Sequence, residues 1–140
     1  MLLIDTGLAL RLMRLDLKDY LASEPADIVN KGSMAELFAG LEFLKTASPY
    51  EKKELYYWRR DALNSNAEVD YVLQKNNRIV PVEIKSGTKG SMQSMFLFLK
   101  EKKLTGGVRM SLENYSEYQN ISVIPLYAIR DFVLMHTQGN

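Results

Sequence analysis

Cysteine is absent from all 140 residues, which excludes disulfides and thiolate metal sites and fits an intracellular, cytoplasmic protein. Histidine occurs once, as His136 in a C-terminal tail, and carries no role in this reading. No apolar run approaches the roughly 20 residues that a membrane helix needs, so no membrane partner is expected. The start, Met1 to Asp5, lacks the basic n-region of a secretory signal and reads as a strand. No Gly-x4-Gly-Lys-[Ser/Thr] segment occurs, so the chain has no P-loop site for ATP. Repeats and low-complexity stretches are also missing. Strong charge of one sign is missing too: the net charge is +1, which does not mark a nucleic-acid binder.

What is present is an ordinary globular composition, 46% hydrophobic and 25% charged, at a length that predicts one domain. The charge is unevenly spread. Between Lys31 and Arg109 lie 14 basic and 9 acidic residues, a local +5, whereas the flanks sum to −4. A positive groove speeds encounter with anions; solubility accounts for so modest an excess equally well.

Residues 6–15 read as a short apolar helix, and residues 16–31 as a polar connection. Ser33 stands three residues before Glu36, the spacing of a capping box, ahead of a stripe of Leu37, Phe38, Leu41 and Leu44. Glu36 in a first turn would favour the helix dipole. Residues 55–60 form an aromatic-rich strand whose Arg59 and Arg60 could grip phosphates; closing a core edge is the competing role. Gly87 and Gly90 with Lys89 and Ser91 make a loop whose free N–H groups, at the start of a helix over 91–103, suit a phosphate. Gln93 on that helix is a possible accessory residue, and Met92, Met95, Phe96 and Leu99 form its core stripe. A strand over 106–112, a polar loop over 113–120, an extended segment over 121–127 and a short helix complete the chain.

The most informative segment is residues 66–86. A two-residue turn at Asn76 and Asn77 makes paired residue numbers sum to 153. Asp70 then lies opposite Glu83, and Glu68 opposite Lys85. Alternation puts Val69, Tyr71, Leu73, Val80, Val82 and Ile84 on one apolar face and Glu68, Asp70, Glu83 and Lys85 on the other. Pro81 lacks a ladder donor, which predicts a bulge or an edge position. Two carboxylates placed across a ladder repel each other, so a positive partner is required. Lys85 is one candidate. A divalent cation is the other, because magnesium is held by one or two carboxylates while keeping waters for substrate phosphates. Such an ion polarises phosphoryl oxygens and acidifies bound water, the chemistry of a metal-dependent phosphodiesterase. A solvated face with an exposed Glu68–Lys85 pair, worth about 0–1 kcal/mol, is the alternative.

Asp70 followed by Glu83-Ile84-Lys85 resembles the PD-(D/E)XK nuclease signature. Ile4-Asp5-Thr6-Gly7-Leu8, Gly32-Ser33-Met34-Ala35-Glu36-Leu37-Phe38, Tyr56-Tyr57-Trp58-Arg59 and Ala67-Glu68-Val69-Asp70 together resemble DUF4143, a domain that follows AAA+-like P-loop ATPase modules. The resemblance runs from about Leu3 to Phe132. It implies an α/β, restriction-endonuclease-like core in the order αβββαβ, a mixed sheet flanked by helices. The lead-in would be 1–31, the core 32–112 and the C-terminal strand and helix 113–140. It also implies metal ligands at Asp70, Glu83 and Glu36, with Lys85 supporting the attacking water. The loop from Asp61 to Asn66 departs from the family pattern by its length, and the ATPase module is missing, as in an excised domain or a remnant gene. Two functions follow. The first expectation is a nucleic-acid or partner-binding module serving an ATPase in cis or in trans. The alternative is an active Mg2+- or Mn2+-dependent DNA endonuclease similar to Holliday-junction resolvases, acting as a homodimer.

Overall fold

A computed structural model describes residues 5–15, 31–46, 50, 52–61, 66–88 and 90–135. Residues 1–4 of the strand expected over 1–5, residues 16–30 of the connection expected over 16–31, Lys89 and His136 lie outside the described residues; Asp5 caps a helix and Lys31 is helical.

The sheet is built outward from one hairpin. Asn76 and Asn77 both adopt left-handed backbone, φ 49° and 59°, as a type I′ turn requires. They join β2 (Glu68–Lys75) to β3 (Arg78–Ile84). The ladder runs from Lys75↔Arg78 to Tyr71↔Val82 in the expected register. Pro81 is neither at a bulge nor at an edge: it is fully buried and pairs with Val72. Alternation from the turn makes that pair a non-hydrogen-bonded one, and pairing with the next strand begins only at Val82, so no ladder position needs a donor at residue 81.

The remaining strands are β1 (Tyr56–Arg59), β4 (Gly107–Ser111), β5 (Ser116–Tyr118) and β6 (Ile121–Pro125). They complete one mixed sheet of six strands in the order β1-β2-β3-β4-β6-β5. β1, β2 and β3 are antiparallel, β3, β4 and β6 run parallel, and β5 returns antiparallel on β6. The stretch read as a polar loop therefore hides an edge strand. Its three residues are all exposed, so it shows no apolar alternation.

Four helices are described. α1 (Thr6–Leu12) is capped by Asp5, whose Oδ1 accepts from the Leu8 N–H at 3.0 Å. α2 (Lys31–Lys45) starts earlier than expected. Ser33 therefore sits inside the helix rather than at its cap, and Glu36 falls in the second turn, beyond the strongest reach of the helix dipole. The expected single stripe is in fact two. Met34, Leu37 and Leu41 meet Ala9 and Leu10 of α1, whereas Ala35, Ala39 and Phe43 meet the sheet; Phe38 is exposed. α3 (Gln93–Lys102) and α4 (Ile129–Leu134, after a 3-10 turn at Leu126–Ala128) complete the set. α2 and α4 cover one sheet face through Tyr71, Val82, Ile84, Val108, Met110 and Ile129. α3 covers the other with Met92, Met95, Phe98 and Leu99 against Val69, Trp58 and Ile121. Gly107 permits that second contact, since a Cβ there would lie 2.7 Å from Met95 Sδ and 3.2 Å from Pro81 Cγ. No described helix is long and apolar enough to cross a membrane.

Candidate active site

The site forms where β2 and β3 part. Asp70 was expected to face Glu83 across the ladder, with Glu68 facing Lys85. The last ladder pair is instead Tyr71↔Val82. β3 then turns to β4, pairing Glu83 with Arg109 and Ile84 with Met110, and the Lys85 N–H donates to the Met110 carbonyl at 2.8 Å. The Ile84 N–H donates to Asp70 Oδ2 at 2.6 Å. A side-chain carboxylate thus replaces the strand backbone as acceptor.

The same residue lies in a bulge. Between Tyr56↔Val72 and Trp58↔Val69 the register of β1 on β2 shifts by one, so β2 carries an extra residue there. A bulge re-aims side chains. Here it puts Val69 with Met95 on the α3 face and Tyr71 with Phe43 on the α2 face. Val69 and Tyr71 were expected to share a face; the bulge corrects this and leaves Asp70 at the crossover.

Glu83, placed by alternation on the charged face, is buried, 6% exposed. Its Oε1 accepts from Lys85 Nζ at 2.6 Å, while Oε2 is buried without a hydrogen-bond partner. On the α2 side, Glu36, Glu68, Asp70 and Tyr71 line a cleft of about 260 Å³ with Leu55, Tyr56 and Tyr57. The Tyr71 hydroxyl donates to the Glu36 carbonyl at 2.8 Å and so ties α2 to β2 at this point. Burial, with Glu36 and Asp70 nearby, pushes the Tyr71 phenol up to about 12, so it stays protonated as a donor.

Electrostatically the acids behave as one cluster. Burial raises the Glu83 pKa and Asp70 raises it further, against the pull of Lys85. Burial also raises Asp70, opposed by the Ile84 N–H and by Lys85 and reinforced by Glu68. Glu36 rises through burial and then through Asp70 and Glu68. Lys85 is the cation that acts on all three. A single ammonium does not neutralise this many carboxylates, and the unpartnered Glu83 Oε2 adds a desolvation cost. Among the described residues no three acidic side chains form a ready metal cage. Two carboxylates with open coordination positions nonetheless suit a hydrated magnesium ion, and a buried oxygen lacking a partner suits a cation.

Glu36, Asp70, Glu83 and Lys85 are therefore brought together. Of the residues expected to meet nucleic acid, Arg59 is exposed on β1. Arg60 Nε pairs with Glu101 of α3 at 3.1 Å. Ser91 and Gln93 line a separate cleft beside Arg109 rather than the acid cluster, and Lys89 lies outside the described residues. Sequence reasoning missed the tie that Tyr71 makes to α2 and the burial of Arg109. Gly90, expected to let the backbone approach a ligand, lines the cleft beside Arg109 and also lies against Lys85. A Cβ at Gly90 would lie 3.0 Å from Lys85 Cδ and 3.2 Å from Cε, and its φ of 147° disfavours L side chains. Gly90→Ala is expected to lose on the order of 1 kcal/mol in chemical denaturation and to displace the ammonium from Glu83.

The family model of a domain of unknown function, DUF4143, matches residues 31–129. The chain belongs to this family. The matched span of the DUF4143 domain holds α2, all six strands and every residue of the acid cluster; Ile4 to Leu8 lies outside it. No curated protein and no solved structure matches the chain.

Proposed function

We propose that this DUF4143 domain is a PD-(D/E)XK-type centre that hydrolyses phosphodiesters in nucleic acid with Mg2+ or Mn2+. The observation that carries the reading is Glu83: buried, half-satisfied, beside a second acid and bonded to the lysine two residues on. The order α2-β1-β2-β3-α3-β4, with β4 parallel to β3, supports the fold part of the proposal. Asp70 and Glu83 would hold the ion, and Glu36 would do so directly or through water. When bound, the ion supplies Lewis acidity to a phosphoryl oxygen and a water of lowered pKa. Lys85, held along Gly90, supplies positive charge at the reacting phosphate. Asp70 also keeps β2 and β3 locked at the point where they part, through the Ile84 N–H.

A second reading is a binding module for DNA or for an ATPase partner, the acid cluster being vestigial. It is favoured by Lys85, whose ammonium already sits 2.6 Å from Glu83 Oε1. Duplex, flap and four-way DNA incubated with the domain and Mg2+ or Mn2+ separates the two. Cation-dependent cleavage by the wild type, absent from Glu83→Ala, supports the enzyme. DNA or partner affinity with no cleavage of any substrate supports the module.

A further inference from the structure

The geometry points to a second site on the α3 face: an oxyanion subsite for a backbone phosphate of a nucleic-acid strand, with the buried guanidinium of Arg109 as its fixed charge. This deepens the proposal that the domain engages nucleic acid, and it rests on that proposal.

Arg109 lies in β4, where Val108 and Met110 go to the α2 face, so its side chain lies beneath the start of α3. It is only 8% exposed, yet Nε and Nη2 make no hydrogen bond. Glu113 Oε2 comes to 3.4 Å from Nε as an ion pair, but that oxygen already accepts from Ser111 Oγ at 3.1 Å. Burying a charge with unused donors is costly, and a guanidinium is built to bind a phosphate through paired donors.

An independent feature opens on the same cleft. α3 is ten residues long; its N-cap, Met92, gives no side-chain cap, and Ser91 Oγ accepts the Gln93 N–H at 3.3 Å. The remaining N–H groups of the first turn are left to an anion. The cleft, about 550 Å³, is lined by Ser91, Gln93, Phe96, Arg109 and Tyr118 together with the carboxylates Glu113 and Glu117. It opens between the start of α3 and the sheet, over Arg109 of β4 and Ile121 and Val123 of β6. The exposed Tyr118 ring, 6.4 Å from Phe96, offers a base a stacking surface. Gly90 lines this cleft and also touches Lys85, and Arg109 pairs in register with Glu83. The subsite therefore adjoins the acid cluster, placed to hold a phosphate of the strand under attack. The resident Glu113 competes with that phosphate for the guanidinium.

Fluorescence anisotropy with a labelled single-stranded DNA of roughly 12 nucleotides, in EDTA so that cation chemistry is silent, tests this. Ser91→Asp puts a carboxylate at the helix start without disturbing the core and is expected to weaken binding about tenfold, close to 1.4 kcal/mol. Glu113→Gln removes the competitor and is expected to tighten it severalfold. Circular dichroism confirms that both variants fold. Unchanged affinity in both overturns the subsite. Inorganic phosphate that shifts the Arg109 NMR signals while the DNA fails to bind overturns the assignment to a nucleic-acid strand. Loss of cleavage with intact, Ser91-dependent DNA binding would sink the enzyme and leave the subsite standing.

Discussion

Asp70→Asn is expected to raise the melting temperature of the metal-free domain at pH 7 and to abolish the further rise that Mn2+ gives the wild type. Asparagine can still accept the Ile84 N–H through Oδ1, so the join between β2 and β3 survives. What disappears is a charge whose folded pKa is raised, first by burial. A carboxylate of that kind contributes stability below its unfolded pKa and loses it as pH rises through the folded value. Above the folded value the ionised group is a net cost to the fold, so neutralising it there is stabilising. Neutralising it also removes its repulsion with Glu68. The advantage should shrink as pH falls through the carboxylate range and vanish once both Asp70 and its unfolded counterpart are protonated. Mn2+ at a hundredfold excess over its Kd should add roughly 2.7 kcal/mol to the wild type, a shift of several degrees for a domain of this size. Scanning calorimetry of both proteins at pH 4 and pH 7, with and without Mn2+, reads all of this. An Mn2+ shift of equal size in Asp70→Asn would remove Asp70 from the cation site.

How much of the fold was legible follows from where the controlling contacts lie. The hairpin is local: two asparagines that tolerate left-handed backbone set a turn, and counting from it gives five correct pairs. The bulge in β2 is not local. It is a mismatch with β1, and nothing within residues 68–75 announces it, so the face of Val69 was misplaced. Pro81 misled for a related reason. A missing donor matters only if a neighbour requires one, and that depends on where β4 begins to pair. Ser33 and Glu36 matched a cap by spacing, but α2 begins at Lys31 and overrides the pattern. In the site, Asp70, Glu83 and Lys85 were placed near one another by counting across the hairpin and Glu36 by the resemblance to PD-(D/E)XK nucleases, and the structure puts the four within one electrostatic neighbourhood. Arg109 was not legible. Between Val108 and Met110 it looks like the exposed member of an alternating strand, and only the parallel neighbours on both sides, with α3 above, bury it.

Lys85→Met and Glu83→Gln should each lower cation-dependent cleavage by about 10²–10³-fold, the range for one electrostatic stabiliser in an active site. The two losses should not add. Lys85 Nζ and Glu83 Oε1 are bonded at 2.6 Å, so removing either disturbs the other, and residues acting as a unit show the double variant little worse than the single ones. The variants should differ in cation dependence. Glu83→Gln removes a ligand and should demand far more Mn2+ to reach its residual rate. Lys85→Met removes a competitor for Glu83 and should bind Mn2+ at least as tightly as the wild type while turning over slowly. Calorimetric titration beside single-turnover cleavage separates binding from chemistry. If Lys85→Met weakened Mn2+ binding, the ammonium would be organising the carboxylates rather than competing with the ion. If neither variant changed the rate, the nucleolytic activity would belong to other residues.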